Sequence, residues 1–334
     1  MNKKHINQPL IKNFTLVLFA ASLCPNMAFA SDTKQHKQSL PTYAVVNTFI
    51  TGGRPHFPGI NSKTQRLYVS DVPAGTISMY DAYSGTQLAS TITGLQAHSV
   101  LVDEINNRVY VTNRGSDTLT ILNGENNEVI ASIPVGDGPH GVDIDVDHHR
   151  AFTSNTYSND VTVIDTQTNT VIKTIPVGIE PWGIFYDSEN ELIYVANTGE
   201  GTVFKIDPEK GNIIKSYNVG GRPWNVKTSS ENGRIYVTNE TLGILTVISK
   251  DRIIAEVPIG IAGRGLAIND QTGLAFVAAT GSNQLTTVSL KTNTVVQNIV
   301  VGTGPTAVTL DAMSNTLYVA NQGNGTISVI KQTQ

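Results

Sequence analysis

The sequence predicts an all-β fold, a seven-bladed β-propeller of four-stranded antiparallel blades, on three observations. One short segment recurs seven times at near-constant spacing, each copy divides into four strand-length runs, and the two ends of the array complement one another. The segment reads Leu67-Tyr68-Val69-Ser70-Asp71, Val109-Tyr110-Val111-Thr112-Asn113, Ala151-Phe152-Thr153-Ser154-Asn155 and Ile193-Tyr194-Val195-Ala196-Asn197. It returns as Ile235-Tyr236-Val237-Thr238-Asn239, Ala275-Phe276-Val277-Ala278-Ala279 and Leu317-Tyr318-Val319-Ala320-Asn321. Its aromatic residues are spaced by 42 positions, with one interval of 40. Self-similarity at this period marks stacked units, none of which can bury its apolar face alone.

The third copy shows the four runs. Residues 141–147 alternate Val142, Ile144 and Val146 with Asp143, Asp145 and Asp147, the period of two expected of a half-buried strand. Residues 150–155, 161–165 and 171–177 supply the other three, and turn-forming residues at 147–149, 155–160 and 166–169 separate them. Four strands per repeat at this period predict blades arranged radially around a channel. The shorter interval is assigned to a contracted turn at 249–252. The last repeat carries only three strands, ending near residue 330. The segment Val45-Val46-Asn47-Thr48-Phe49-Ile50-Thr51-Gly52 aligns with the fourth strand Val171-Ile172-Lys173-Thr174-Ile175-Pro176-Val177-Gly178. The N-terminal strand is therefore expected to complete the seventh blade and close the ring, which removes open sheet edges.

The chain divides into a leader at 1–30, a polar linker at 31–41 and the propeller at 42–334. Lys3, Lys4 and Lys12 precede an apolar run from Phe14 to Cys24 that is too short to span a bilayer. Ala28-Phe29-Ala30 then presents a signal-peptidase pattern, so the exported chain is expected to begin at Ser31 in the periplasm, or outside the cell. Leu23 is too bulky for Cys24 to serve as a lipid attachment site. Loss of the three lysines leaves 20 Lys+Arg against 27 Asp+Glu, a net charge of −7. Bulk attraction to nucleic acid is thereby disfavoured. The single cysteine departs with the leader, which excludes disulfides and thiol chemistry. No later apolar stretch is long enough for a spanning helix.

The Tyr-Val-Thr-Asn segment, the following Thr-hydrophobic-Thr-Val-Ile-Asp strand and the Val-Gly-x-x-Pro turn resemble the YVTN-repeat β-propeller family, most closely its YncE-like exported members. The resemblance covers the chain from about residue 42 onward. It implies the propeller fold and adds single-stranded DNA as one partner of the family. It does not decide function, because one fold hosts many.

In a repeat array, function is sought where equivalent positions differ. The repeated aromatics are read as packing between blades, and the recurrent Asn113, Asn155, Asn197, Asn239 and Asn321, with Asp71, as residues that bond their own turn backbone. One position varies instead. At the start of each innermost strand it reads His56, His98, His140, Trp182, Trp224, Arg264 and Thr306 around the ring, with Arg54 and Arg222 two residues before His56 and Trp224. Both tryptophans of the chain lie on this ring. We expect a polarised channel mouth, with Trp182, Trp224, Arg264, Arg54 and Arg222 as ligand-binding residues. His56, His98 and His140 are the candidate metal set, since three imidazoles suit one copper or zinc ion. His148 and His149 lie in a turn at the opposite end and read as solvated loop residues. No nucleophile elbow, phosphate loop or zinc-protease helix motif occurs.

The leading functional reading is a periplasmic binding or interaction protein whose ligand is a small molecule, a metal or a protein of that compartment. A His-ligated, metal-dependent enzyme is the alternative. Single-stranded DNA binding and a lactonase- or lyase-like activity rank below it, the latter because no acid–base pair can be identified.

Overall fold

Alternating apolar runs separated by turn residues have little choice but to form strands, and strands whose two faces are both apolar must be covered on both sides. The computed structural model describes residues 40–333, so the leader and most of the linker lie outside the described residues. Strands β1–β28 form seven four-stranded antiparallel sheets. The innermost strands are β2 (Pro55–Asn61), β6 (Ala97–Asp103), β10 (Pro139–Asp145), β14 (Pro181–Asp187), β18 (Pro223–Thr228), β22 (Gly263–Asn269) and β26 (Pro305–Asp311). In six blades the chain runs from inner to outer strand in sequence order.

The seventh blade is ordered β26-β27-β28-β1, so the ring closes as expected. Strand β1 (Tyr43–Ile50) pairs antiparallel with β28 (Thr326–Gln332), from Tyr43 opposite Gln332 to Ile50 opposite Thr326. The contracted repeat also has its expected cause. Ser249 pairs with Arg252 across a two-residue turn in which Lys250 (φ 48°) and Asp251 (φ 61°) are both left-handed, the conformation of a tight hairpin. The equivalent turn of the third blade occupies four residues, 166–169.

Seven apolar clusters fill the seven interfaces between blades. Tyr68 packs with Val109 and Val111 of the next blade, Tyr110 with Val142 and Ala151, and Tyr318 with Leu67 and Val69 across the closure. The Tyr68 hydroxyl donates to the Gly124 carbonyl at 2.5 Å, so even its polar tip serves the interface. The recurrent asparagines do more than the sequence implied. Asn113 Nδ2 donates to the hydroxyls of Thr118 and Thr120, and Thr93 donates to its oxygen, tying two strands to the turn that precedes the blade. Asn239 does accept from its own turn, at Leu242 N, but also from Arg222 N across the gap between successive blades.

A second correction concerns 141–147. The innermost strand begins at Pro139 and ends at Asp145, with a bulge between Pro139 and Gly141. Asp143 does not point outward to bulk solvent. It lines the channel, while Asp145 is buried against Arg150 and His148 at 2.7 and 2.9 Å. An inner strand has no solvated outer face; its alternation separates channel from blade interface.

Candidate functional site

Each ring residue is the second residue of an inner strand, so seven strands converging on one axis bring the seven side chains together. Hydroxyls of the preceding blade fix several of them. Ser70, Thr112, Ser154 and Thr238 donate to the carbonyls of His98, His140, Trp182 and Arg264 at 2.6, 2.9, 2.5 and 2.7 Å. Thr306 closes the circuit by donating to the carbonyl of His56 at 2.7 Å. Sequence reasoning passed over the hydroxyls of Ser70, Thr112, Ser154 and Thr238, although they occupy one repeated strand position that carries Ser, Thr or Ala in every blade. Gly141 and Gly183 follow two ring residues for a steric reason: a Cβ on either would lie 2.5 Å from the carbonyl oxygen of Trp182 or Trp224.

The three imidazoles and two indoles form one continuous run of ring contacts, tilted between the histidines, parallel at His140 and Trp182, and edge-on between the indoles. Ring centroids are 4.1 Å apart for His56 and His98, and 3.9 Å for His98 and His140. His140 lies parallel to Trp182 at 4.8 Å, and Trp182 meets Trp224 edge-on at 4.2 Å. The guanidinium of Arg222 covers Trp182 at 5.1 Å and that of Arg264 covers Trp224 at 4.5 Å. Glu240 accepts two hydrogen bonds from Arg264, at 3.0 and 2.6 Å, and Glu180 accepts one from Arg222 at 3.3 Å. Arg54 is exposed, and its side chain joins no ion pair among the described residues. Arg114, which the sequence did not single out, hydrogen-bonds Tyr157 at 2.6 Å and places a further positive charge beside the histidines. The structure thus gathers seven of the eight predicted site residues into one contiguous assembly and leaves Arg54 on its rim.

His56, His98 and His140 are all at least nine-tenths buried. Burial is the main force that keeps them neutral, and surrounding arginines reinforce it for each; the His56 imidazole falls to about 3, and His98 and His140 lie well below the ordinary value. For His98 the neighbouring imidazoles add to the burial ahead of Arg114. Four polar atoms of this layer are buried with no protein partner: Nδ1 of His56 and of His98, and Nε1 of Trp182 and of Trp224. Leaving such an atom unsatisfied costs about 1–3 kcal/mol.

A transition metal needs several ligand nitrogens aimed at one point. Here the imidazoles lie against one another ring to ring, and among the described residues no group of three His, Cys, Asp or Glu side chains is arranged to hold a metal ion. The ring as it stands does not fit a three-histidine centre. His148 and His149 sit at the far end of the third blade, and His148 bonds Asp145 rather than standing free.

This geometry can be set beside known proteins. Residues 65–190 match the profile of the YNCE-like beta-propeller family. The match runs from the second strand of the first blade to the inner strand of the fourth, part of the array that resembles the YVTN-repeat family. Among solved structures, hydrazine synthase of Kuenenia stuttgartiensis superposes with a TM-score of 0.76 at 16% identity, covering 90% of this chain and 99% of that one. At that identity the likeness is one of propeller fold alone. No curated protein matches the chain in sequence. Among the described residues no helix is long and apolar enough to cross a membrane. A YncE-like propeller fold supports a binding or interaction role carried by the propeller itself.

Proposed function

We propose that the chain is an exported binding protein of the periplasm, whose recognition surface is the channel mouth and whose ligand is a small aromatic anion. The observation that carries this reading is the ring itself. Packing alone would be met by small or apolar residues, yet this layer holds two indoles, three neutral imidazoles and buried N–H and N atoms without protein partners. Arg54 and Arg114 add positive charge that no carboxylate within ion-pairing distance neutralises among the described residues, which favours an anion despite the acidic chain. Exposed Leu95, Ile179 and Ile261, in equivalent turns around the mouth, offer apolar contact to an aromatic body.

Binding is preferred to catalysis on chemical grounds. The His56 imidazole, held near 3, is a poor general base at neutral pH, and the carboxylates of Glu180 and Glu240 are engaged by arginines. A long polyanion such as single-stranded DNA would meet the net negative charge beyond the local basic patch.

The chain offers its own probe, because both of its tryptophans lie at the mouth. Intrinsic fluorescence should respond to benzoate or phenyl phosphate, and the response should fall in Arg114→Ala and Trp224→Phe variants. Silence toward aromatic anions, with a micromolar response to zinc(II), copper(II) or oligo(dT) instead, would replace this reading with the metal or nucleic-acid one.

A further inference from the structure

Directly below the ring, the third residues of the inner strands include Ser99, Gly141, Gly183 and Asn225, which are small or short. They leave a chamber of about 150 Å³, partly open, whose lining includes His140, Trp182 and Trp224 from the layer above. Two layers below the ring, the lining carries opposite charges: Asp143 on β10 and Lys227 on β18, with the Phe185 position of β14 between them in chain order.

These two charges feel each other but do not pair. Asp143 is held by the backbone N–H groups of Tyr186 and Ile144, at 3.0 and 2.9 Å. The Lys227 ammonium instead rests over the Phe185 ring, 4.6 Å from its centroid. Lys227 is among the charges that act on Asp143, yet no ion pair within 4.0 Å joins them among the described residues. Backbone donors on one side and an aromatic ring on the other anchor each group where it stands. In a low-dielectric chamber, opposite charges held apart are best satisfied by a molecule carrying the complementary pair.

We propose that this chamber is a second binding site, below the mouth and bordered by His140, Trp182 and Trp224 of its ring, for a small zwitterion of the α-amino acid class, its ammonium on Asp143 and its carboxylate on Lys227. The size agrees: a cavity near 150 Å³ accommodates a benzene-sized molecule, and glycine and alanine are no larger. Ser99 and Asn225 directly below the ring, and Thr309 at the level of Asp143 and Lys227, supply further polar groups along the wall. The inference does not depend on what binds at the mouth.

The test uses the exported chain with glycine, L-alanine, acetate and methylammonium as probes, read by thermal shift and titration calorimetry. Glycine or alanine should raise the melting temperature, because a ligand of the folded state stabilises it, whereas acetate and methylammonium alone should not. Lys227→Met and Asp143→Asn should each weaken binding by about tenfold or more, the usual result of removing a charged partner. The exchange Asp143→Lys with Lys227→Asp should restore part of it, since both charges remain. No stabilisation by either amino acid, equal stabilisation by acetate or methylammonium, or unchanged affinity in the two single variants would overturn the proposal. The panel on the unaltered chain decides the matter even if a variant fails to fold. An unchanged tryptophan response to aromatic anions in the single variants would separate the failure of this site from failure of the mouth.

Discussion

Acidification should destabilise this protein well above the range in which its carboxylates titrate, and the buried histidine cluster sets both sign and size. His56, His98 and His140 are buried and neutral in the folded chain, with His56 at about 3 and the others well below the ordinary 6.5. The unfolded chain therefore binds more protons than the folded one below about pH 6.5, so stability falls as pH drops. For His56 the loss continues until pH approaches about 3. Each histidine contributes about 1.4 kcal/mol per pH unit in that window, and three contribute about 4 kcal/mol per unit as an upper bound. A fall from about pH 6.5 to pH 5 then removes up to ~6 kcal/mol, comparable with the total stability of an ordinary domain. Asp81, Asp145 and Asp311, whose values lie below 3.8, add losses only at lower pH, and Asp143, whose value is raised, acts with opposite sign. Urea unfolding followed by circular dichroism between about pH 7 and pH 5 measures the slope, and a variant with His56→Gln, His98→Gln and His140→Gln isolates the histidine part. Stability that stays flat across this window, or an equally steep loss in the triple variant, would refute the assignment of neutral, desolvated imidazoles.

Three further outcomes are expected. Deleting residues 31–52 removes β1 and leaves β28 without its outer partner, so melting temperature should drop and aggregation rise, whereas deleting 31–40 should change little; equal behaviour by calorimetry would contradict closure by β1. Asn113→Ala strips the hydrogen bonds to Thr93, Thr118 and Thr120 in a buried site and should cost about 2–4 kcal/mol in chemical denaturation. Mass spectrometry of the exported protein should show Ser31 as its first residue, with retention of residues 1–30 or a lipid on Cys24 as the contrary result.

Much of the fold was legible because repetition averages out local ambiguity. A single apolar run of six residues does not distinguish strand from buried helix, but seven copies ending in equivalent turns do. The two-residue deficit of one repeat located its own cause at Lys250 and Asp251, and the N-terminal run declared its place in the last blade by matching a fourth strand. The ring of His56, His98, His140, Trp182, Trp224 and Arg264 was equally legible, since equivalent positions in a closed array must meet near one axis.

Only the tertiary structure decided how those side chains meet. Sequence places three histidines together but does not state whether their nitrogens converge or their rings stack, because that depends on side-chain rotation and on how closely neighbouring backbones approach. Here the Gly141 and Gly183 backbones come within contact of the next strand, and the imidazole rings meet tilted, at 55° and 47°, with centroids 4.1 and 3.9 Å apart. The same limit applies to Asp143 and Lys227. They sit 84 residues apart, two blades from one another, at an inner-strand position that reads Gly59, Leu101, Asp143, Phe185, Lys227, Ala267 and Thr309 around the ring. Their meeting across one chamber follows from the radial arrangement of seven strands, which converts distance along the sequence into position around a channel.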